Sequence, residues 1–214
     1  MDIELIELPE LALRRIAVSG MGNNVYLLTA RSGDHLLIDA AAEPDAISAL
    51  LASAPGTLRG VLTTHSHHDH IGALAAIMAA HPEAETLAGA ADAAAITAAT
   101  GVPITRRLHD GDRVDVGGVE LIVIGLRGHT PGSVALAHTA PGTAPQLFTG
   151  DSLFPGGVGN TQRDPLRFAS LLADVTDRIF DAYPDNSVVW PGHGLPTTLG
   201  AERPQLAEWW ARGW

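Results

Sequence analysis

Polar and apolar residues alternate along much of this chain, and short wholly apolar runs interrupt the alternation. A period of two is typical of a half-buried strand, whereas a short apolar run between turn residues is typical of a buried one. Strands are therefore predicted at residues 2–8, 24–29, 35–39, 58–63, 112–116, 119–126, 133–138, 146–149 and 187–190. The pairs Gly33-Asp34 and Gly117-Gly118 predict hairpins, and Pro141-Gly142 predicts a further turn.

Other segments have the composition or the spacing of helices. They cover residues 43–53, 71–80 and 90–100, a segment that begins after Asp164, and a short stretch near the C-terminus. The helix after Asp164 is the clearest, because Asp164 can cap it and Pro165 suits its first turn. Its apolar residues recur at helical spacing: Phe168, Leu171, Leu172, Val175 and Ile179. The order strands, helices, strands, helices predicts an α/β fold in which helices cover sheet layers within one domain.

Composition narrows the classes of function. The 214 residues carry a net charge of -11 and include no lysine, which argues against a nucleic-acid partner. The absence of cysteine excludes disulfides, thiolate metal sites and a cysteine nucleophile. No apolar run has the length of a membrane span, and the acidic, alternating first eight residues do not resemble a signal peptide. We therefore expect a soluble, cytoplasmic protein without a membrane partner.

Residues 64–70, Thr-His-Ser-His-His-Asp-His, hold four imidazoles and one carboxylate directly after a predicted strand. Crowded histidines repel one another when protonated and lose hydration when buried, so a coordinated cation would explain them. His65 and His67 are two residues apart, so in an extended segment both point to the same side. Asp69 and His70 follow where the chain turns towards a helix, which lets them face a second centre. Imidazole and carboxylate are ligands that zinc accepts readily.

Three further candidate ligands lie on glycine-flanked loops, each after a predicted strand. His129 lies in Gly-His-Thr-Pro-Gly, Asp151 in Thr-Gly-Asp-Ser and His193 in Pro-Gly-His-Gly. Loops held by a rigid sheet are where α/β architectures place functional groups. These three residues are therefore predicted to complete a metal site with the 64–70 cluster.

The four segments, in this order, resemble the metallo-β-lactamase superfamily and, more narrowly, its glyoxalase II-like hydrolases. The resemblance spans about residues 24–203 and implies one domain over residues 1–214, a four-layer αββα sandwich with its site at one edge between the sheets. It also implies two divalent metal ions, with Zn²⁺ favoured and iron or manganese as alternatives. The implied ligands are His65, His67 and His129 for the first ion, Asp69, His70 and His193 for the second, and Asp151 as the bridge.

Two metal ions that share a water can provide hydroxide at neutral pH, which would attack a carbonyl carbon of a small-molecule substrate. The resemblance implies that Asp69 also orients this hydroxide and is therefore catalytic. A thiolate leaves with little help, because the pKa of its thiol is about 8.5. The expected reaction is therefore hydrolysis of a thioester or an activated ester.

The chain departs from glyoxalase II after the bridging aspartate, where Gly157-Val158-Gly159-Asn160 replaces the usual Gly-Cys-Gly-Arg. A helical domain with basic residues is not expected after His193, so a clamp for glutathione carboxylates would use arginines such as Arg163, Arg167 or Arg203. Two alternatives share the ligands: a persulfide dioxygenase-like oxidoreductase with one iron, and a lactonase. A non-enzymatic metal-binding module is a third, but it would be expected to lack a ligand. The acyl group, leaving group, metal and oligomeric state stay open.

Several residues near these motifs receive plainer interpretations. His68 occupies a variable position of the cluster and is expected to face solvent. Asp39 either supports the site from behind its ligands or caps a turn. The tryptophans are expected to pack in the core or on a C-terminal helix rather than to stack on substrate: Trp190, Trp209, Trp210 and Trp214.

Overall fold

The computed structural model describes residues 2–213, so the prediction for Trp214 lies outside the described residues. Its first β-sheet has seven strands that lie side by side in chain order. The first four strands pair antiparallel, and the fourth to seventh pair parallel. The strands are β1 (Glu4–Glu7), β2 (Leu11–Val18), β3 (Asn23–Ala30), β4 (Asp34–Ile38), β5 (Thr57–Thr63), β6 (Glu85–Gly89) and β7 (Arg106–Leu108).

The second β-sheet has six strands, and a small hairpin stands beside it. The strands of the second half of the chain are β8 (Arg113–Val116), β9 (Val119–Gly125), β10 (Val134–His138), β11 (Gln146–Gly150), β12 (Leu153–Phe154), β13 (Gly157–Val158), β14 (Val188–Pro191) and β15 (Thr197–Thr198). The order in the sheet is β15-β14-β11-β10-β9-β8, and β12 pairs with β13. The antiparallel pairs β3–β4 and β8–β9 confirm the two predicted hairpins.

Six α-helices accompany the sheets within residues 2–213. They are α1 (Pro44–Ala52), α2 (Leu74–Ala80), α3 (Ala93–Thr100), α4 (Pro165–Val175), α5 (Leu199–Glu202) and α6 (Leu206–Arg212). The predicted cap of α4 is confirmed, since the Asp164 side chain accepts hydrogen bonds from the backbone N–H groups of Leu166 and Arg167. One turn of π-helix, Thr176–Phe180, extends α4.

Three apolar cores separate four layers and confirm the αββα sandwich. One core lies between the first sheet and α1–α3, the second lies between the two sheets, and the third lies between the second sheet and α4. Strand β4 shows how the sequence builds them, because successive side chains of a strand point to opposite faces. Leu36 and Ile38 face the second sheet, whereas Leu37 faces the helices. Leu36, Leu37 and Ile38 form the apolar run expected of a strand that is buried on both faces.

The sequence pattern missed three strands of the first sheet: β2, β6 and β7. In β2 the adjacent residues Arg14 and Arg15 interrupt the apolar alternation. Arg15 pairs with Glu4 across the β1–β2 ladder at 2.7 Å, which accommodates its charge at the sheet edge. β7 is only three residues long, too short for a periodic signal. Helices α2 and α3 also begin three residues later than predicted.

The topology brings the ends of several strands to one edge of the sandwich. In the first sheet, β4, β5 and β6 run parallel, so their carboxyl ends lie together. In the second sheet, β9 and β11 both run antiparallel to β10, and β14 runs parallel to β11, so these three also end together. The loops that follow these strands carry the predicted site residues. Within residues 2–213, no helix has the length and apolar character of a membrane span.

Candidate metal centre

The structure brings all seven predicted ligands together at this edge. Their potential ligand atoms form three overlapping groups within 4.8 Å, each able to hold an ion: His65 with His67 and His129, Asp69 with His70 and His193, and His65 with His70 and Asp151. The first two groups have the composition that the family resemblance implies for two ions. The third joins them, because it combines one member of each with Asp151.

The spacing of the ring nitrogens matches that of ligands around one ion. The Nε2 atoms of His65 and His129 lie 3.3 Å apart, and those of His70 and His193 lie 3.2 Å apart. Two nitrogens bound tetrahedrally at about 2.0–2.1 Å from zinc are separated by about 3.3–3.4 Å. The nitrogens therefore already lie as far apart as two ligands of one ion.

Contacts at the opposite ring nitrogen, Nδ1, fix the orientation of these rings. The Nδ1 of His70 lies 2.8 Å from Asp39 Oδ2, and the Nδ1 of His129 lies 2.8 Å from the carbonyl oxygen of Asn160. The Nδ1 of His193 lies 3.1 Å from the carbonyl oxygen of Met21. Because these oxygens only accept hydrogen bonds, each Nδ1 carries a proton and the ring is turned so that its Nε2 faces the cluster.

His65 is oriented through a hydroxyl group. Thr64 Oγ1 donates to Asp39 Oδ2 at 2.8 Å, so it can accept from the Nδ1 of His65, which lies 3.1 Å away. The Nε2 atom of His65 therefore also faces the cluster. A histidine that binds a metal almost always donates its other ring N–H in this way.

Asp151 lies between the two groups. Its Oδ1 lies 3.3 Å from His70 Nε2, and its Oδ2 lies 3.4 Å from His193 Nε2 and 3.6 Å from His129 Nε2. Its Oδ1 is buried and has no hydrogen-bond partner among residues 2–213. Lone pairs of carboxylate and imidazole that face one another repel unless a cation lies between them. The donor set therefore fits divalent metal ions.

The protonation of the rings differs between the two groups. Burial lowers the pKa of His65, His67 and His129, so these rings are neutral and ready to bind a metal. Burial also lowers the pKa of His70, but the carboxylates of Asp39 and Asp151 outweigh it and raise the pKa to about 10. The proton on His70 Nε2 occupies the direction in which a metal would bind, so metal binding at this ring releases it.

Asp39 supports the ligands, which decides between its two predicted roles. Its carboxylate accepts from the N–H of Thr64 at 2.7 Å, from Thr64 Oγ1 and from His70 Nδ1. The residue is buried and has φ near 60°, which is uncommon for a residue other than glycine. A strained backbone held by three hydrogen bonds is typical of a functional site.

Sequence patterns did not single out Asn23, which contacts the site from the start of β3. Its side chain is fully buried, and its Nδ2 donates to Asp69 Oδ2 at 2.9 Å. Ser19 Oγ lies 2.6 Å from Asn23 Oδ1 and donates to it, which fixes the amide so that Nδ2 faces Asp69. Burial alone would raise the pKa of Asp69. The hydrogen bond from Asn23 and the charge of His70 lower the pKa by more, so its net shift is downwards and Asp69 stays ionised. The spacing of Ser19 and Asn23 at the start of β3 has no periodicity, so the sequence pattern could not indicate this contact.

The structure also tests the predictions for His68 and the tryptophans. The side chain of His68 is 91% exposed, which confirms that it faces solvent. Trp190 and Trp209 are buried in the second and third cores, as predicted. Trp210 is 46% exposed and contacts the edge of Phe168, so it lies on the surface of the C-terminal helix.

Comparison with known proteins identifies the family. The model of the metallo-beta-lactamase superfamily matches residues 18–193. A hydroxyacylglutathione hydrolase of Thermosynechococcus vestitus is 31% identical over 89% of this chain and 73% of its own length. The crystal structure of TTHA1623 in a di-iron-bound form is 32% identical, with a TM-score of 0.71 over 88% of this chain and 96% of that one. ETHE1 from Myxococcus xanthus is 26% identical, with a TM-score of 0.76 over 92% and 84%. The chain belongs to the metallo-β-lactamase superfamily and is similar to its glyoxalase II-like hydrolases.

Proposed function

We propose that this metal-dependent hydrolase holds two divalent ions and cleaves thioesters. The observation that carries the proposal is the convergence of seven donors in two groups joined by Asp151. The proposed ligands are His65, His67 and His129 for the first ion, Asp69, His70 and His193 for the second, and Asp151 for both. The likeness to a hydroxyacylglutathione hydrolase supports thioesters as the substrate class.

Bound divalent ions supply Lewis-acid polarisation of a carbonyl group and lower the pKa of water to about 7. The chain's own residues supply position. Asn23 holds one oxygen of Asp69, so the other oxygen can accept a hydrogen bond from the attacking water and orient it. His65 and His70 are buried, whereas His67, Asp69 and His193 are partly exposed, so substrate approaches on their side.

The nature of the leaving group favours thioesters over amides. An amine needs a proton in order to leave, so an amide would require a general acid beside its leaving group. A thiolate needs no such donor, because its conjugate acid has a pKa of about 8.5. A thioester can therefore be cleaved at this site without a proton donor for its leaving group.

The arginines bear on whether the thiol is glutathione. Arg167 is engaged with the backbone, because it donates to the carbonyl oxygens of Gly128 and His129. Arg203 is engaged with Asp185 and the carbonyl oxygen of Phe180. Arg163 is exposed and makes no hydrogen bond or ion pair with residues 2–213, so it alone of the three predicted arginines is free to pair with a carboxylate. We therefore propose a thioester whose thiol makes at most a limited anionic contact.

Zinc is the proposed metal, because imidazole and carboxylate ligands suit it. The di-iron form of TTHA1623 supports two ions on this fold and keeps iron as an alternative. A cytoplasmic location stays a prediction. A persulfide dioxygenase-like activity with one iron is the second candidate function, and the likeness to ETHE1 gives it weight.

The test of this function is hydrolysis by metal-free protein reloaded with zinc, manganese or iron. Substrates would be S-lactoylglutathione, thioesters of small uncharged thiols, and a lactone. We expect hydrolysis of thioesters, its loss in His67→Ala together with part of the bound metal, and an unchanged circular dichroism spectrum. His109→Ala is the matched control, because His109 is exposed and far along the chain from the cluster. Full activity in His67→Ala would refute the site, and oxygen consumption with a persulfide without hydrolysis would favour the dioxygenase.

A further inference from the structure

Asp92 lies beside the proposed ligands without being one of them. It follows β6, the neighbour of β5 in the first sheet, and is only 1% exposed. A carboxylate this deeply buried is costly unless several donors satisfy it. The hydrogen-bond donors around Asp92 therefore indicate its role.

Three hydrogen bonds satisfy the carboxylate, and all come from two ligand-bearing loops. Its Oδ2 accepts from the N–H of Ser66 at 2.9 Å and from Thr130 Oγ1 at 2.5 Å. Its Oδ1 accepts from the N–H of Gly132 at 2.8 Å. Ser66 lies between His65 and His67, and Thr130 follows His129. One side chain thus ties together the backbone around all three residues of the first group.

The alternative interpretation is that Asp92 caps a helix, because it precedes α3. Aspartate is a preferred N-cap, where its side chain accepts from the second or third N–H of the helix. Here the Asp92 side chain makes no such bond. Its carboxylate is directed away from the helix towards the two loops. Helix capping therefore does not account for the residue.

The loop that carries His129 approaches the segment around Asp92 closely at two glycines. A Cβ atom at Gly132 would lie 2.4 Å from the backbone nitrogen of Asp92, and one at Gly89 would lie 1.9 Å from the carbonyl oxygen of Gly132. A backbone hydrogen bond, from the N–H of Val134 to the carbonyl oxygen of Thr64 at 2.9 Å, also joins the two ligand-bearing segments. Since the loops come from different sheets, their relative position depends on few contacts.

We propose that Asp92 is a positioning residue that sets the distance between His65 and His67 on one loop and His129 on the other, and so controls occupancy of the first metal position. The inference rests on the proposed function, because it takes these three histidines as ligands. Asp39 holds His70 in the same manner on the other side. Asp92 thus contacts only the loops of the first half, whereas Asp39 contacts His70 directly and His65 through Thr64.

The test is metal binding by full-length Asp92→Asn, prepared metal-free and titrated with cobalt(II) against a chromogenic chelator. The amide keeps the size of the carboxylate but has one acceptor oxygen instead of two, so either the N–H of Gly132 or the two donors on Oδ2, Ser66 N–H and Thr130 Oγ1, lose their acceptor. We expect one ion to bind as in the wild type and the other to bind about 10–100-fold more weakly, the usual effect of losing a residue that orients a ligand. Thr130→Val removes one donor only, and we expect a smaller change in the same direction.

Glu202→Gln is the control for a purely structural role. Glu202 is also buried and joins two segments, since it accepts from Gly156 N–H and Thr197 Oγ1, each at 2.7 Å. We expect it to lower the unfolding temperature without changing either affinity. Wild-type affinities in Asp92→Asn, or equal weakening of both ions, would overturn the inference. Failure of the wild-type protein itself to bind two ions would instead overturn the proposed function.

Discussion

The two halves of the proposed metal site differ in charge and in how the protein holds them. The first half has three imidazoles, His65, His67 and His129, which burial keeps neutral. The second half replaces one imidazole with the ionised carboxylate of Asp69. Imidazole suits zinc, whereas carboxylate also suits harder ions such as manganese. The difference indicates that one fold edge can offer two chemically distinct positions, joined by Asp151.

The largest effect is expected from changing Asp151, the residue that the two halves of the site share. Asp151→Asn keeps the volume beside Gly192, where space is tight, but removes the negative charge. Four rings would then face one another without the carboxylate that offsets bound cations. We expect hydrolysis to fall by more than about 100-fold, beyond the effect of residues that only orient ligands. Steady-state kinetics and the metal content per chain would measure it, and an activity within tenfold of wild type would contradict the bridging role.

A substitution behind one half should affect that half more than the other. Asp39→Asn places an amide where the carboxylate accepts from both Thr64 and His70, so one of these bonds is lost. We expect the metal held by His70 to bind about 10–100-fold more weakly. The three-imidazole position should lose less affinity, because Asp39 reaches His65 only through the Thr64 hydroxyl. A competition titration of both ions would show this, and equal weakening of both would mean that the halves do not respond independently.

The smallest effect is expected within the histidine cluster itself. His68 lies between two proposed ligands in sequence, yet its side chain is 91% exposed. His68→Ala should therefore leave metal content and hydrolysis unchanged and alter the free energy of unfolding by no more than about 0.5 kcal/mol. Chemical denaturation and kinetics would check it. Loss of metal in this variant would show that the exposed ring is a ligand after all.

The sequence predicted much of this arrangement because its chemistry is concentrated. Four of the seven donors lie within residues 65–70, and each of the others follows an apolar strand next to glycine. The sandwich itself follows from strands whose alternate residues enter different cores, as Leu36 and Leu37 do. Such patterns are local, so a single sequence displays them.

The supporting residues could not be predicted in this way. Asp92 has the sequence context of a helix cap, and only the structure shows its carboxylate joining loops from two sheets. Asn23 is one polar residue at the start of a strand, and its contact with Asp69 spans 46 positions. The missed strand β2 has the same cause, since Arg14 and Arg15 break its pattern and tertiary contacts restore it. Long-range contacts leave no periodic trace in sequence.

The most direct measurement is the number of metal ions per chain in the purified, untagged protein, determined by elemental analysis of the wild type, His129→Ala and His193→Ala. The account predicts about two ions, most of them zinc, in the wild type and about one in each variant, because each variant removes a ligand from a different half. One ion in the wild type, lost entirely in both variants, would contradict the two-position site. If that ion were iron, the single-iron oxidoreductase would become the leading function.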